Sequence, residues 1–89
     1  MYDYVLRKSV EAIFFKLAKK RPKQLEIIYS KIEEIIIEPH RYKCLTGPLK
    51  HMRRVHIDKS FVLVFSIDET ENTVIIEDYD HHDKIYKKR

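Results

Sequence analysis

The sequence predicts an α+β fold: an N-terminal strand, a two-helix hairpin and a three-stranded antiparallel meander, with the helices packed on one face of the sheet. Three observations carry that prediction. Apolar residues recur at helical spacing from Val10 to Ile36, they alternate from Met52 onward, and the apolar segments that follow are joined by short polar turns. A chain of 89 residues, 44% hydrophobic, has material for one core, so a single domain over 1–89 is expected.

Tyr2 to Leu6 is short, aromatic and β-branched and reads as the first strand. Ser9 is a plausible N-cap for a first helix. There Val10, Ile13, Phe14 and Leu17 form one stripe, and Lys16, Lys19 and Lys20 gather at the C-terminal turn, where cations suit the helix dipole. Pro22 fits the first turn of a second helix, whose apolar face is Leu25, Ile28, Ile32, Ile35 and Ile36. Glu38-Pro39 stops it.

An irregular basic loop follows. Met52 to Ile57 then alternates, with Val55 and Ile57 directed to the helices and Met52, Arg54 and His56 on the open face. Beyond the turn Asp58-Lys59-Ser60, the continuous apolarity of Phe61 to Ile67 marks a central strand. Asp68 to Asn72 turns the chain into a last strand, Thr73 to Glu77. Phe14, Leu17, Ile28, Ile32, Val55, Leu63 and Val74 are the expected core joining helices to sheet.

No apolar run reaches the roughly 20 residues of a membrane span, and the first residues lack the charged and apolar regions of a signal peptide. Cys44, the one cysteine, cannot form an internal disulfide. A cytoplasmic protein without a membrane partner is the expectation. The net charge of +4 is segregated: Lys16, Lys19, Lys20, Arg21 and Lys23 crowd one segment and Arg41, Lys43, Lys50, Arg53, Arg54 and Lys59 another, while the acidic residues cluster late. Such a field suits a polyanion on one face.

The blocks Leu45-Thr46-Gly47-Pro48-Leu49-Lys50, Arg53-Arg54-Val55-His56-Ile57-Asp58 and Phe61-Val62-Leu63-Val64-Phe65, closed by His82 and an aromatic four residues on at Tyr86, resemble the RelE/ParE superfamily of toxins, most of all its YafQ-like branch. The resemblance implies a ribosome-dependent endoribonuclease, an mRNA interferase, silenced by a cognate acidic antitoxin encoded by the adjacent gene. Its partners are then the antitoxin, messenger RNA and the ribosome.

Cleavage of RNA through its own 2′-hydroxyl needs a base, an acid and cations for the phosphoryl oxygens, and no metal or other cofactor. Imidazoles suit both proton transfers. His56 on the open face and His82 beyond the neighbouring strand are the candidates. Arg54 shares the face of His56 and Arg53 matches the family pattern, so both are candidate phosphate ligands. Lys43 stands where the branch carries a further catalytic histidine and suits charge stabilisation; Ser60 replaces an acidic residue. The expected catalytic set is therefore His56, His82, Lys43 and Arg54, with Lys50, Arg53, Lys59 and a base-stacking Tyr86 contacting RNA. Asp58 is a candidate for orienting His56, and His81 should face away from His82.

Two other classes compete. A ParE-like toxin shares the fold but inhibits DNA gyrase by binding and needs no histidine pair; a RelE-fold binding protein without activity would fit the departures at Lys43 and Ser60. A metal site from Asp80, His81, His82 and Asp83 is disfavoured, because neighbours on an extended segment point to opposite faces.

Overall fold

In the computed structural model, which describes residues 1–87, the elements are β1 (Asp3–Leu6), α1 (Lys8–Lys20), α2 (Pro22–Ile37), β2 (Arg53–Ile57), β3 (Phe61–Asp68), β4 (Thr73–His81) and α3 (His82–Lys87). The expected α+β order holds. β2, β3 and β4 form the antiparallel meander, and β1 completes a four-stranded sheet in the order β1-β4-β3-β2 by pairing parallel to β4, from Asp3 opposite Thr73 to Leu6 opposite Ile76. A parallel pair needs a long crossover. The intervening helices and meander supply it.

The helix start differs from expectation. α1 begins at Lys8, and Ser9 lies inside its first turn without a capping role. Arg7 occupies the N-cap because its N–H still donates to Ile76 of the sheet at 3.1 Å, while its carbonyl already accepts from Val10 and Glu11, each at 2.9 Å. Strand and helix thus share one residue. α2 ends as predicted, with Glu38 as C-cap and Pro39 opening a single turn of 3-10 helix.

The main core lies between sheet and helices. Val10 and Phe14 of α1 and Ile28, Ile32 and Ile35 of α2 meet Ile57, Leu63, Phe65, Val74, Ile76 and Tyr79. Val55 and Leu17 pack at its margin, half-buried. One polar contact is sealed inside: Gln24 Nε2 donates to the Tyr79 hydroxyl at 2.8 Å, which satisfies two groups that would otherwise be costly to bury.

β4 runs to His81, beyond the predicted end at Glu77. The alternation that signals a strand is broken there by a β-bulge, with Val64 paired to Asp78 and Phe65 to Ile76. Glu77 is the extra residue. Its carboxylate accepts from Arg7 Nε at 2.9 Å and from Ser66 Oγ at 2.6 Å. Burial raises the Glu77 carboxyl, but the hydrogen bonds from Arg7 and Ser66, with the charges of Arg7 and His51, outweigh it and hold the group below the ordinary carboxylate value.

The face expected to be open is covered in part. The basic loop is ordered by a second turn of 3-10 helix at Gly47–Leu49 and by a bridge between Cys44 and Arg53. Gly47 adopts φ 67, which suits a residue without Cβ. Leu45, Val62, Val64 and Ile85 of α3 form a second, smaller core here, with Leu49 and Met52 against it. α3 therefore folds back onto the side of the sheet opposite α1 and α2.

Candidate active site

β2 positions the first histidine. His56 pairs with Val62, which points into the second core, so the same register directs His56 and Arg54 to that side of the sheet. His56 is exposed.

The end of β4 positions the other. His81 pairs with Phe61, and its ring meets Phe61 edge-on at 5.7 Å, on the side of the sheet where Phe61 packs against the main core. The next residue turns the opposite way as α3 begins. The His82 N–H donates to the Ser60 carbonyl at 2.7 Å, which ties the start of α3 to the turn between β2 and β3. The imidazoles of His56 and His82 consequently stack, with centroids 5.9 Å apart and planes 27° from parallel. Adjacent histidines have been separated to the two faces of the sheet, and one of them is beside the strand histidine.

The hydrogen-bond partners of the two rings differ. Arg54 Nη1 lies 3.5 Å from His56 Nδ1, at the outer limit of a hydrogen bond. A guanidinium only donates, so this contact requires a lone pair on Nδ1 and a neutral ring. His82 Nδ1 lies 3.2 Å from the Asp83 carboxylate, which only accepts. Nδ1 of His82 carries a proton in that contact, and the ring keeps its partner when doubly protonated.

The basic candidates separate by environment. Lys43 stands across from Arg54, whose N–H donates to the Lys43 carbonyl at 3.0 Å, so the register of the Cys44–Arg53 bridge places both on the histidine side. Arg53 points to the other side, where Nη1 donates to the carbonyls of His40 at 3.1 Å and Tyr42 at 2.7 Å and holds the loop after α2. Lys50, at the end of the Gly47–Leu49 turn, and Lys59, in the β2–β3 turn, are both exposed. Asp58 carries the left-handed backbone of that turn, φ 59, a conformation aspartate tolerates. Asp58 was a candidate for orienting His56; the side chain that approaches the His56 ring, at Nδ1, is Arg54. Tyr86 belongs to α3, but its side chain lies outside the described residues.

Beside these groups, Leu45, Leu49, Met52, Val64 and Ile85 wall a cavity of about 180 Å³ with Glu77 and Asp78 at its rim. Sequence reasoning missed that the bulge turns both of these carboxylates to one side. No periodicity signals an extra residue in a strand.

Set against known proteins, the chain matches no family model. It is 60% identical over 86 residues to an uncharacterized protein of Methanosarcina mazei, covering 97% of this chain and 100% of that one. It is 53% identical over 89 residues to a protein of Methanocaldococcus jannaschii provisionally named toxin RelE4, covering 100% of this chain and 95% of that one. Among solved structures, the complex of the toxin and antitoxin RelBE2 from Mycobacterium tuberculosis contains a chain that superposes with a TM-score of 0.76 at 23% identity, over 91% of each chain.

Proposed function

The chain belongs to the RelE-like toxin superfamily, and from that premise we propose that it is the toxin of a toxin–antitoxin pair and an endoribonuclease that cuts messenger RNA on the ribosome by metal-independent acid–base chemistry. The stacked pair His56 and His82, with Arg54 against one ring, is the observation that carries this reading.

In the reaction, the 2′-oxygen bonds to the adjacent phosphorus, the bond from phosphorus to the 5′-oxygen breaks, and the products are a 2′,3′-cyclic phosphate and a free 5′-hydroxyl. His56, with Arg54 against its ring, is the base that takes the 2′-hydroxyl proton. Arg54 turns from Nδ1 to a phosphoryl oxygen as the substrate arrives, and this exposes the lone pair. His82, its Nδ1 proton facing Asp83, is in its doubly protonated form the acid that gives its Nε2 proton to the departing 5′-oxygen. Lys43, across the strand pair from Arg54, adds positive charge where the phosphoryl oxygens gain negative charge.

The second partner follows from charge. A site carrying Lys43, Lys50, Arg54 and Lys59 complements an acidic antitoxin that orders on binding. That an antitoxin accompanies the toxin in the RelBE2 complex supports this. The test is to strip the purified chain with chelator, remove the chelator, add the chain to ribosomes programmed with a message in magnesium and map the ends. Cuts ending in 2′,3′-cyclic phosphate support the reading; an intact message overturns it, as do cuts that leave a 5′-phosphate, the product of attack by water.

A further inference from the structure

The basic segment Lys16 to Lys23 has no part in the chemistry above, yet the fold brings Arg21 to the end of the sheet that carries Phe61. α1 crosses the sheet so that the α1–α2 turn reaches the Phe61 end of β3, where Ile13, Leu17 and Arg21 line a depression of about 330 Å³ with Phe61, Tyr79 and Asp80. Arg21 also borders the adjoining depression of about 460 Å³ that contains Lys20 and Lys23. The β2–β3 turn, with Lys59 exposed on it, closes this end of the sheet, between the strand of His56 and that of Phe61.

The two surfaces are the opposite faces of one sheet end. Phe61 pairs with His81, while His82 stacks on His56 on the other side. Phe61 is half-buried, its ring stacked on Tyr79 at 5.4 Å and met by His81 at its edge, which makes an aromatic ledge beside Arg21. Among the described residues none of Lys16, Lys19, Lys20, Arg21 and Lys23 forms an ion pair. Lys19 instead lies over the exposed ring of Phe15, 4.4 Å from its centroid.

We propose that single-stranded RNA bound at His56 and His82 continues around the β2–β3 turn, stacks a base on the Phe61 ledge and lays its phosphates along Arg21, Lys20 and Lys23. The inference rests on the ribonuclease reading and extends it by a second stretch of substrate contact. Cations that form no ion pair among the described residues supply affinity without sequence preference, and an aromatic ledge takes any base. Continuity with the histidine site and the ledge favour an RNA strand over an acidic protein, for which charge alone would speak.

The probes are uncleavable 2′-O-methyl oligouridines, a tetranucleotide and a dodecanucleotide, titrated into the full chain by fluorescence anisotropy over a range of salt. The variant is Lys20→Gln/Arg21→Gln/Lys23→Gln, with Lys20→Gln/Lys23→Gln as a milder companion and thermal melts as the folding control. The triple variant should bind the dodecanucleotide about tenfold more weakly, with a salt slope flatter by about 2 for the three phosphates released. Its tetranucleotide affinity should equal that of the unmodified chain, and the double variant should fall between. Unchanged dodecanucleotide binding in the triple variant, with the tetranucleotide still bound, overturns this extension and leaves the ribonuclease reading standing. Equal losses for both lengths also overturn it, since that is a general field effect. With poly-glutamate titrated alongside as a mimic of an acidic protein, a variant that keeps its RNA affinity but no longer binds poly-glutamate assigns the surface to an acidic protein and overturns it likewise. Failure of the unmodified chain to bind the dodecanucleotide also overturns this extension, and the ribonuclease reading is decided separately by cleavage on programmed ribosomes.

Discussion

The carbonyl of Ser60 accepts from the backbone N–H of His82 at 2.7 Å, so the turn between β2 and β3 fixes the point where β4 ends and α3 begins. With Phe61 paired to His81, this bond keeps His82 on the face of His56. A one-residue slip of β4 against β3 would reverse the faces that His81 and His82 occupy.

The two arginines should part in behaviour. Arg53→Ala removes charged donors from the carbonyls of His40 and Tyr42 and is expected to cost about 1–3 kcal/mol of stability in urea unfolding. Arg54→Ala should leave stability near that of the unmodified chain and weaken cleavage. Reversed outcomes would exchange their roles.

Leu63 lies wholly within the main core on the central strand. Leu63→Ala should therefore cost about 2–5 kcal/mol, read by chemical denaturation. An unaltered midpoint would contradict the placement of β3.

Acid should reach the sheet through Glu77. Its carboxyl is lowered in the folded chain from the ordinary 4.5, chiefly against its own burial, by the hydrogen bonds of Arg7 and Ser66. The unfolded chain then binds more protons in the window below pH 4.5, so this contribution is complete above that value and is lost as pH falls through the folded one. Melting temperatures measured across the acid range should fall less steeply for Glu77→Gln. A slope identical to that of the unmodified chain would remove Glu77 from the acid response.

Much of this architecture was legible in the sequence because burial imposes periods on it. Val10 and Phe14, or Leu63 and Phe65, are spaced as a helix and a strand require, and the faces given to Val55, Ile57, Arg54 and His56 follow from a period of two. Pairing partners are not written that way. Nothing local to Tyr2–Leu6 says that β1 lies parallel against β4, and the bulge at Glu77 hides the last residues of β4 by shifting the alternation. The candidate site was legible as residue types, while the division between Arg53 and Arg54 depends on the path of the loop near His40 and Tyr42.

The acid and base can be told apart by the leaving group. A substrate with sulfur in place of the 5′-oxygen at the cut needs no protonation of its leaving group, so it should restore cleavage by His82→Ala and leave His56→Ala impaired. Single-turnover rates on the two substrates measure this. Restoration of His56→Ala alone would exchange the assignments drawn from Asp83 and Arg54.

The most direct measurement is the rate of ribosome-bound message cleavage by His56→Ala and by His82→Ala, each stripped of metal beforehand, with circular dichroism confirming that each variant is folded. Both side chains are exposed, so folding should be retained. Each variant is expected to cut at least about a hundredfold more slowly than the unmodified chain, the range for loss of a general acid or base. Full activity in both folded variants would contradict the account.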